Sequence, residues 1–239
     1  NKAASEMKQR VEEMLRIGTD GWWIGTFHAM GARILRKNPE IVGLKTQFSI
    51  IDIDDQIRLV KQALSYHNVD EKKWPSRLIH NIIQRWKDEG LNPEEISDDK
   101  IFGNVSGKNI YRTYQDRLLT LNVVDYGDLL LQNLNIFKNN PEILTTYQKK
   151  FKYILVDEYQ DTNICQNRWL NLLAENFKNI CAVGDDDQSI YSWRGAEVKN
   201  ILKFGDTFTN TTTIKLEENY RSTNNILEAA NCLVGKNKE

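Results

Sequence analysis

Tyr153-Ile154-Leu155-Val156-Asp157-Glu158 is the stretch on which the fold turns. An unbroken apolar run reads as a short strand covered on both faces, and this one stops abruptly at two carboxylates. Ile180-Cys181-Ala182-Val183 repeats the pattern and ends in Gly184-Asp185. Thr212 to Leu216 makes a third run, ending in Glu217-Glu218-Asn219. Leu-rich helical stretches such as Trp169 to Ala174 lie between them. Apolar strands alternating with helices predict a parallel α/β sheet. Ligands of such sheets sit beyond the carboxyl ends of the strands, and all three runs place acidic or polar residues at that edge.

Towards the N-terminus, Ala3, Ala4, Met7, Val11, Met14 and Leu15 recur at helical spacing. Trp22 to Thr26 reads as a short buried strand, followed by a helix carrying Met30, Ile34 and Leu35. From about Asp54 to Leu121 helical patterns dominate, lysines are frequent and no convincing buried strand appears. This stretch reads as an α-helical insertion with turns near Pro75, Pro93 and Gly103. With 239 residues, 40% of them hydrophobic, the chain can bury a real core. Its 32 basic and 33 acidic residues nearly cancel, so nucleic acid would need a local groove, not a broadly basic surface. Cys165, Cys181 and Cys232 and the three histidines are scattered without zinc or disulfide spacing, which points to the cytoplasm. No apolar run reaches the length of a membrane span and no signal peptide is visible, so no membrane partner is expected.

Four segments carry groups suited to chemistry. An aspartate closing a buried strand, as Asp157 does, usually holds Mg²⁺ in P-loop nucleotide hydrolases, directly or through a bound water, and a following glutamate such as Glu158 can orient attacking water. Two solvated carboxylates at a strand end explain the same pair. In Gly184-Asp185-Asp186-Asp187-Gln188-Ser189-Ile190-Tyr191-Ser192-Trp193-Arg194-Gly195, Gln188 can hydrogen-bond a γ-phosphate, Trp193 can stack on an unpaired base, and Arg194 can meet a phosphate or an acidic partner. A core tryptophan beside an exposed turn, or a three-aspartate metal cluster, are the other readings. In Asn219-Tyr220-Arg221-Ser222-Thr223, Arg221 can reach a γ-phosphate and Tyr220 can stack on adenine, although a helix cap with a surface arginine accounts for it equally well. Gly25-Thr26-Phe27-His28 marks a strand-to-helix turn whose amides attract phosphate and whose Phe27 can stack on a base, while a lone histidine is more often structural.

An ATP site also needs a glycine-rich loop with a lysine. Gly103-Asn104-Val105-Ser106-Gly107-Lys108-Asn109 is the nearest match, but its glycines stand one residue too close and Asn109 replaces Ser or Thr. Gly235-Lys236-Asn237 lacks the upstream glycine. Both are expected to be turns.

Taken together, Asn1-Lys2-Ala3-Ala4, Gly25 through His28, Val156-Asp157-Glu158-Tyr159-Gln160-Asp161, Gly184 through Gly195 and Asn219 through Thr223 resemble, in order and across the chain, superfamily 1 helicases of the UvrD/Rep/PcrA type. The resemblance implies a RecA-like P-loop NTPase core with a parallel sheet, interrupted by an all-α insertion. It divides the chain into subdomain 1A (1–53), insertion 1B (54–122), the second part of 1A (123–216) and the start of 2A (217–239). It implies ATP and Mg²⁺ as cofactors, with Asp157 holding the ion, Glu158 as catalytic base, Gln188 coupling the γ-phosphate to DNA, Tyr220 packing on adenine and Arg221 touching the γ-phosphate. Asn1, Thr26, Phe27, His28, Trp193 and Arg194 fall on the single-strand path. Single-stranded DNA and single/double-strand junctions are the implied partners, in repair or replication, with 3′-to-5′ travel. The phosphate loop would lie just before residue 1 and the second core beyond Glu239, so the chain alone is expected not to turn over ATP. In Asp125-Tyr126-Gly127-Asp128-Leu129-Leu130, Gly127 stands where the family carries an acidic residue, which leaves that turn unexplained.

Other classes fit less well. A helicase-derived scaffold needs none of Asp157, Glu158, Gln188 and Arg221. A nuclease-linked helicase subunit is disfavoured by the short insertion. A transporter-type ATPase is disfavoured by the lack of a Leu-Ser-Gly-Gly-Gln-like signature.

Overall fold

The computed structural model describes residues 2–192 and 195–236. Helix α1 (Lys2–Leu15) leads to α2 (Phe27–Leu35), whose start is capped by Thr26 Oγ1 accepting from Ala29 N–H at 3.3 Å. Strand β1 (Ser49–Ile50) is followed by α3 (Ile53–Tyr66), capped by Asp52, and by α4 (Ser76–Asp88), which starts after Pro75. A hairpin of β2 (Ile101–Phe102) and β3 (Val105–Ser106) precedes α5 (Gly107–Leu121) and β4 (Val123–Val124). Then come α6 (Asp128–Asn139), α7 (Pro141–Lys150), β5 (Ile154–Val156), α8 (Ile164–Ala174) and β6 (Ile180–Ala182). Short α9 (Lys199–Leu202) and α10 (Phe204–Thr207) and the exposed α11 (Asn224–Val234) close the chain.

The architecture is mixed α/β with short parallel sheets. β5 pairs in parallel with β6, Ile154 opposite Ile180 and Val156 opposite Ala182. β1 pairs in parallel with β4. Two hydrophobic cores form. The first gathers Ile34, Leu35, Leu130, Phe137, Val156, Tyr159 and Trp169 from α2, α6, β5, the turn after β5 and α8. The second gathers Val60, Ile79, Ile83, Trp86, Tyr111 and Tyr114 from α3, α4 and α5.

Three expectations need correction. Trp22 to Thr26 forms no strand. Its apolar content goes into side-chain packing, since Trp23 stands edge-on to Phe151 (4.9 Å between centroids) with the Arg33 guanidinium 4.0 Å above its ring. Thr212 to Leu216 is also not a strand; Ile214 and Leu216 are exposed and no ladder forms there. The stretch from 54 to 121 is not wholly helical, because the antiparallel β2–β3 hairpin interrupts it and buries Phe102 on the second core. That hairpin also disposes of the nearest phosphate-loop match. Gly103 takes a left-handed φ of +66° in its turn, and Gly107 opens α5 where a Cβ would sit 2.7 Å from both Phe102 and Trp86. Both glycines therefore serve the turn and the packing.

Candidate functional site

Parallel pairing of β5 and β6 brings their carboxyl ends side by side, as doubly wound sheets do at ligand sites. Val183 N–H donates to Val156 O (2.8 Å), and Tyr159 N–H to Val183 O (2.9 Å). The chain past β5 is thereby tied to the chain past β6. Asp157 and Glu158 lie exposed at this edge. Asp157 Oδ1 accepts from the Glu158 N–H at 3.0 Å. Glu158 itself adopts a left-handed backbone, φ +52°, uncommon for a residue with a Cβ and typical of functional turns.

The loop after β6 is organised by Asp185. Its carboxylate accepts from Asp187 N–H (3.1 Å) and from Gln188 Nε2 (2.7 Å), so Gln188 is held near the same edge as Glu158. Among the described residues no three His, Cys, Asp or Glu groups converge as a metal cluster, which removes the three-aspartate reading for the part described. A single exposed carboxylate at Asp157 still suits Mg²⁺, which takes one or two protein carboxylates and fills its other positions with water and phosphate oxygens.

Asp161, one turn on, has a buried Oδ1 without a hydrogen-bond partner. Burial, and then the charge of Glu158, hold its carboxyl above the usual range. Gln160 was not singled out from sequence, yet it is 1% exposed and connects both strand ends. Its Nε2 donates to Glu158 Oε2 (2.7 Å), and its Oε1 accepts from Asp185 N–H (3.0 Å). Only the motif itself flagged the position; its bond to Asp185 reaches across 25 residues.

The other expected residues are distributed as follows. Thr26 is exposed and spends its hydroxyl on the α2 cap. Phe27 is half-buried with its ring edge towards Trp169 (6.2 Å), so part of its surface belongs to the first core. His28 stands edge-on to the exposed Tyr126 (5.7 Å), and burial lowers its pKa, which favours the neutral ring. Tyr220, 86% exposed, donates to Glu218 Oε2 (2.7 Å), which pushes its hydroxyl pKa up. Asn219 Oδ1 accepts from the N–H groups of Arg221 and Ser222, both at 2.9 Å. These bonds are local and do not bring Tyr220 or Arg221 to the β5–β6 edge. Asn1, Trp193 and Arg194 lie outside the described residues.

An α/β chain whose parallel strands deliver an Asp-Glu pair and an Asp-held glutamine to one edge has the layout of the nucleotide-hydrolase class. Within that class, the family described as UvrD/REP helicase N-terminal domain matches residues 1–209, and the chain belongs to it. Membership implies a RecA-like core. The chain is 53% identical over its full length to a probable DNA helicase II homolog of Rickettsia felis, of which it covers 37%. It is 46% identical to the ATP-dependent DNA helicase PcrA of Bacillus subtilis, with 99% of the chain and 32% of the relative aligned. DNA helicase II of Escherichia coli is 44% identical, with 99% and 33% aligned. The chain thus spans about a third of the length of these relatives.

Proposed function

We propose that the chain is part of the motor of an ATP-driven 3′-to-5′ DNA helicase, acting in the cytoplasm in repair or replication. The carrying observation is the convergence of Asp157, Glu158 and Gln188 at one strand edge, linked through Gln160 and Asp185. ATP supplies the phosphoanhydride bond, and Mg²⁺ neutralises its phosphate charge. Asp157 holds the ion. Glu158 accepts a proton from the attacking water. Gln188 touches the γ-phosphate and passes its state along the loop that leads to Trp193 and Arg194 on single-stranded DNA. Asn1, Thr26, Phe27 and His28 line the same strand path, with Tyr220 on adenine and Arg221 on the γ-phosphate. Single/double-strand junctions are the substrate. The division into 1A (1–53 and 123–216), 1B (54–122) and the start of 2A (217–239) belongs to this reading, supported by the separate core built from α3, α4 and α5. Among the described residues no helix is long and apolar enough to cross a membrane.

The test is DNA-stimulated ATP hydrolysis by the full-length protein and its Glu158→Gln variant. Removing a general base costs on the order of 10²–10⁴ in kcat, and a loss of that size is expected. The 239-residue chain alone is expected to show no turnover above its own Glu158→Gln blank. Retention of full turnover in full-length Glu158→Gln would overturn the assignment.

A further inference from the structure

We infer that Gln160 is a positioning residue, which fixes the carboxylate of Glu158 and ties it to the Asp185–Gln188 loop; the inference rests on the reading of Glu158 as general base. The geometry leaves the amide one orientation. A carboxylate only accepts and a backbone N–H only donates, so Nε2 must face Glu158 and Oε1 must face Asp185. Both polar ends of the side chain are satisfied while the residue is almost wholly buried. A glutamate at 160 would lose the donor and set a second negative charge against Glu158, so the position requires an amide.

Two further features favour a dedicated link. Glu158 sits on a left-handed backbone and Asp157 is its exposed neighbour, so the Gln160 bond is what holds the glutamate side chain at Oε2. Across the gap, a Cβ added at Gly184 would collide with Gln160 Oε1 and come 2.9 Å from Ile201 Cδ1. The absent side chain at 184 is the space that the Gln160 carbonyl occupies. The path continues from Asp185 to Gln188 at 2.7 Å. A displacement of the Gln188 loop therefore pulls on the same amide that orients Glu158. Hydrolytic readiness and loop position are joined by one side chain.

The test uses the full-length protein, with Gln160→Met and Gly184→Ala as variants that disturb the link from either end. Both are expected to lower DNA-stimulated kcat by about 10- to 100-fold, the cost of misplacing a catalytic group by about an ångström. KM for ATP is expected to stay within about twofold, because the phosphate contacts are not made by Gln160. A merely structural role would lower kcat and raise KM for ATP together, as the whole site loosened. A folded Gln160→Met that keeps kcat within twofold, or loses kcat only in step with a rise in KM, would overturn the inference. If Gln160→Met fails to fold, Gly184→Ala decides alone, and wild-type kcat there overturns it. Glu158→Gln, run alongside, separates the two levels. Turnover surviving in Glu158→Gln sinks the general-base reading, whereas turnover lost there but kept in both link variants sinks only the role of Gln160.

Discussion

Asp88, at the last position of α4, shows how a single residue can carry a pH dependence. Burial raises its carboxyl to about 7 from an ordinary 3.8, against a lowering by Asn163 Nδ2, which donates to Asp88 Oδ1 at 2.8 Å. A raised acid pKa means that the folded chain binds the extra proton between those two values. Stability from this group is full below the unfolded pKa and is lost as pH rises through about 7. Asp88→Asn keeps an oxygen to accept from Asn163 and removes the charge. It is expected to match the wild type below the unfolded pKa of 3.8, near pH 3.5, and to be more stable by about 1–2 kcal/mol at pH 8, after allowing for partial solvent contact. Urea unfolding at the two pH values checks this; equal wild-type midpoints at both would show that Asp88 is ionised without cost. The neighbouring position explains Gly127, the departure in the Asp125-Tyr126-Gly127-Asp128 turn. A Cβ there would lie 2.7 Å from Lys87 Cδ and 2.9 Å from Lys87 Cβ, so the lysine of α4 takes the room that a side chain would need.

Elements were legible in the sequence where local pattern and tertiary partner coincide. β5 and β6 follow from apolar runs that end in acid, and they have each other to pair with. Thr212 to Leu216 carries the same local pattern but has no ladder, because a strand is made by its neighbour as well as by its residues. The β2–β3 hairpin escaped notice because two residues per strand are too few for a period. Helix contacts of long range are likewise invisible in the chain. α2 and α6 touch at Gly31, where a Cβ would collide with the Leu129 carbonyl oxygen. Asn133 Nδ2 seals the contact by donating to Gly31 O (2.9 Å) and Leu129 O (2.6 Å). Gly31→Ala gains helix propensity on α2 but must push the two helices apart. The overpacking is expected to win, with a net loss of about 1–3 kcal/mol measured by denaturant unfolding. An unchanged midpoint would mean that the pair of helices gives way cheaply.

At the scale of the whole molecule, the two cores meet across a buried polar cluster. Lys87 of α4 is 0% exposed and reaches Asp125 Oδ2 at 2.7 Å and Asp128 Oδ1 at 2.9 Å. Gln84 Nε2 and the Tyr114 hydroxyl also donate to Asp125, and Gln115 Nε2 donates to Asp128. One cation thus serves two carboxylates. Burial pushes both carboxyls up; Lys87 and the extra donors outweigh it at Asp125, which ends lowered, while the charge of Asp125 adds to it at Asp128, which ends raised. α4 belongs to the second core and the Asp125–Asp128 turn opens α6 of the first, so the ion cluster fastens one core to the other. Lys87→Met keeps much of the apolar stem that packs on Gly127 but strands the carboxylates without a cation. Breaking one side of a buried pair costs about 3–5 kcal/mol, and the loss is expected as a lower urea midpoint with the two cores no longer melting together. Trp86 reports the second core and Trp169 the first. The wild type is expected to give one transition seen by both probes, and Lys87→Met two. Adding Asp125→Asn and Asp128→Asn to Lys87→Met removes the stranded charges and is expected to recover most of the lost stability. If the triple variant is no better than Lys87→Met, the cluster joins the cores by shape and not by charge.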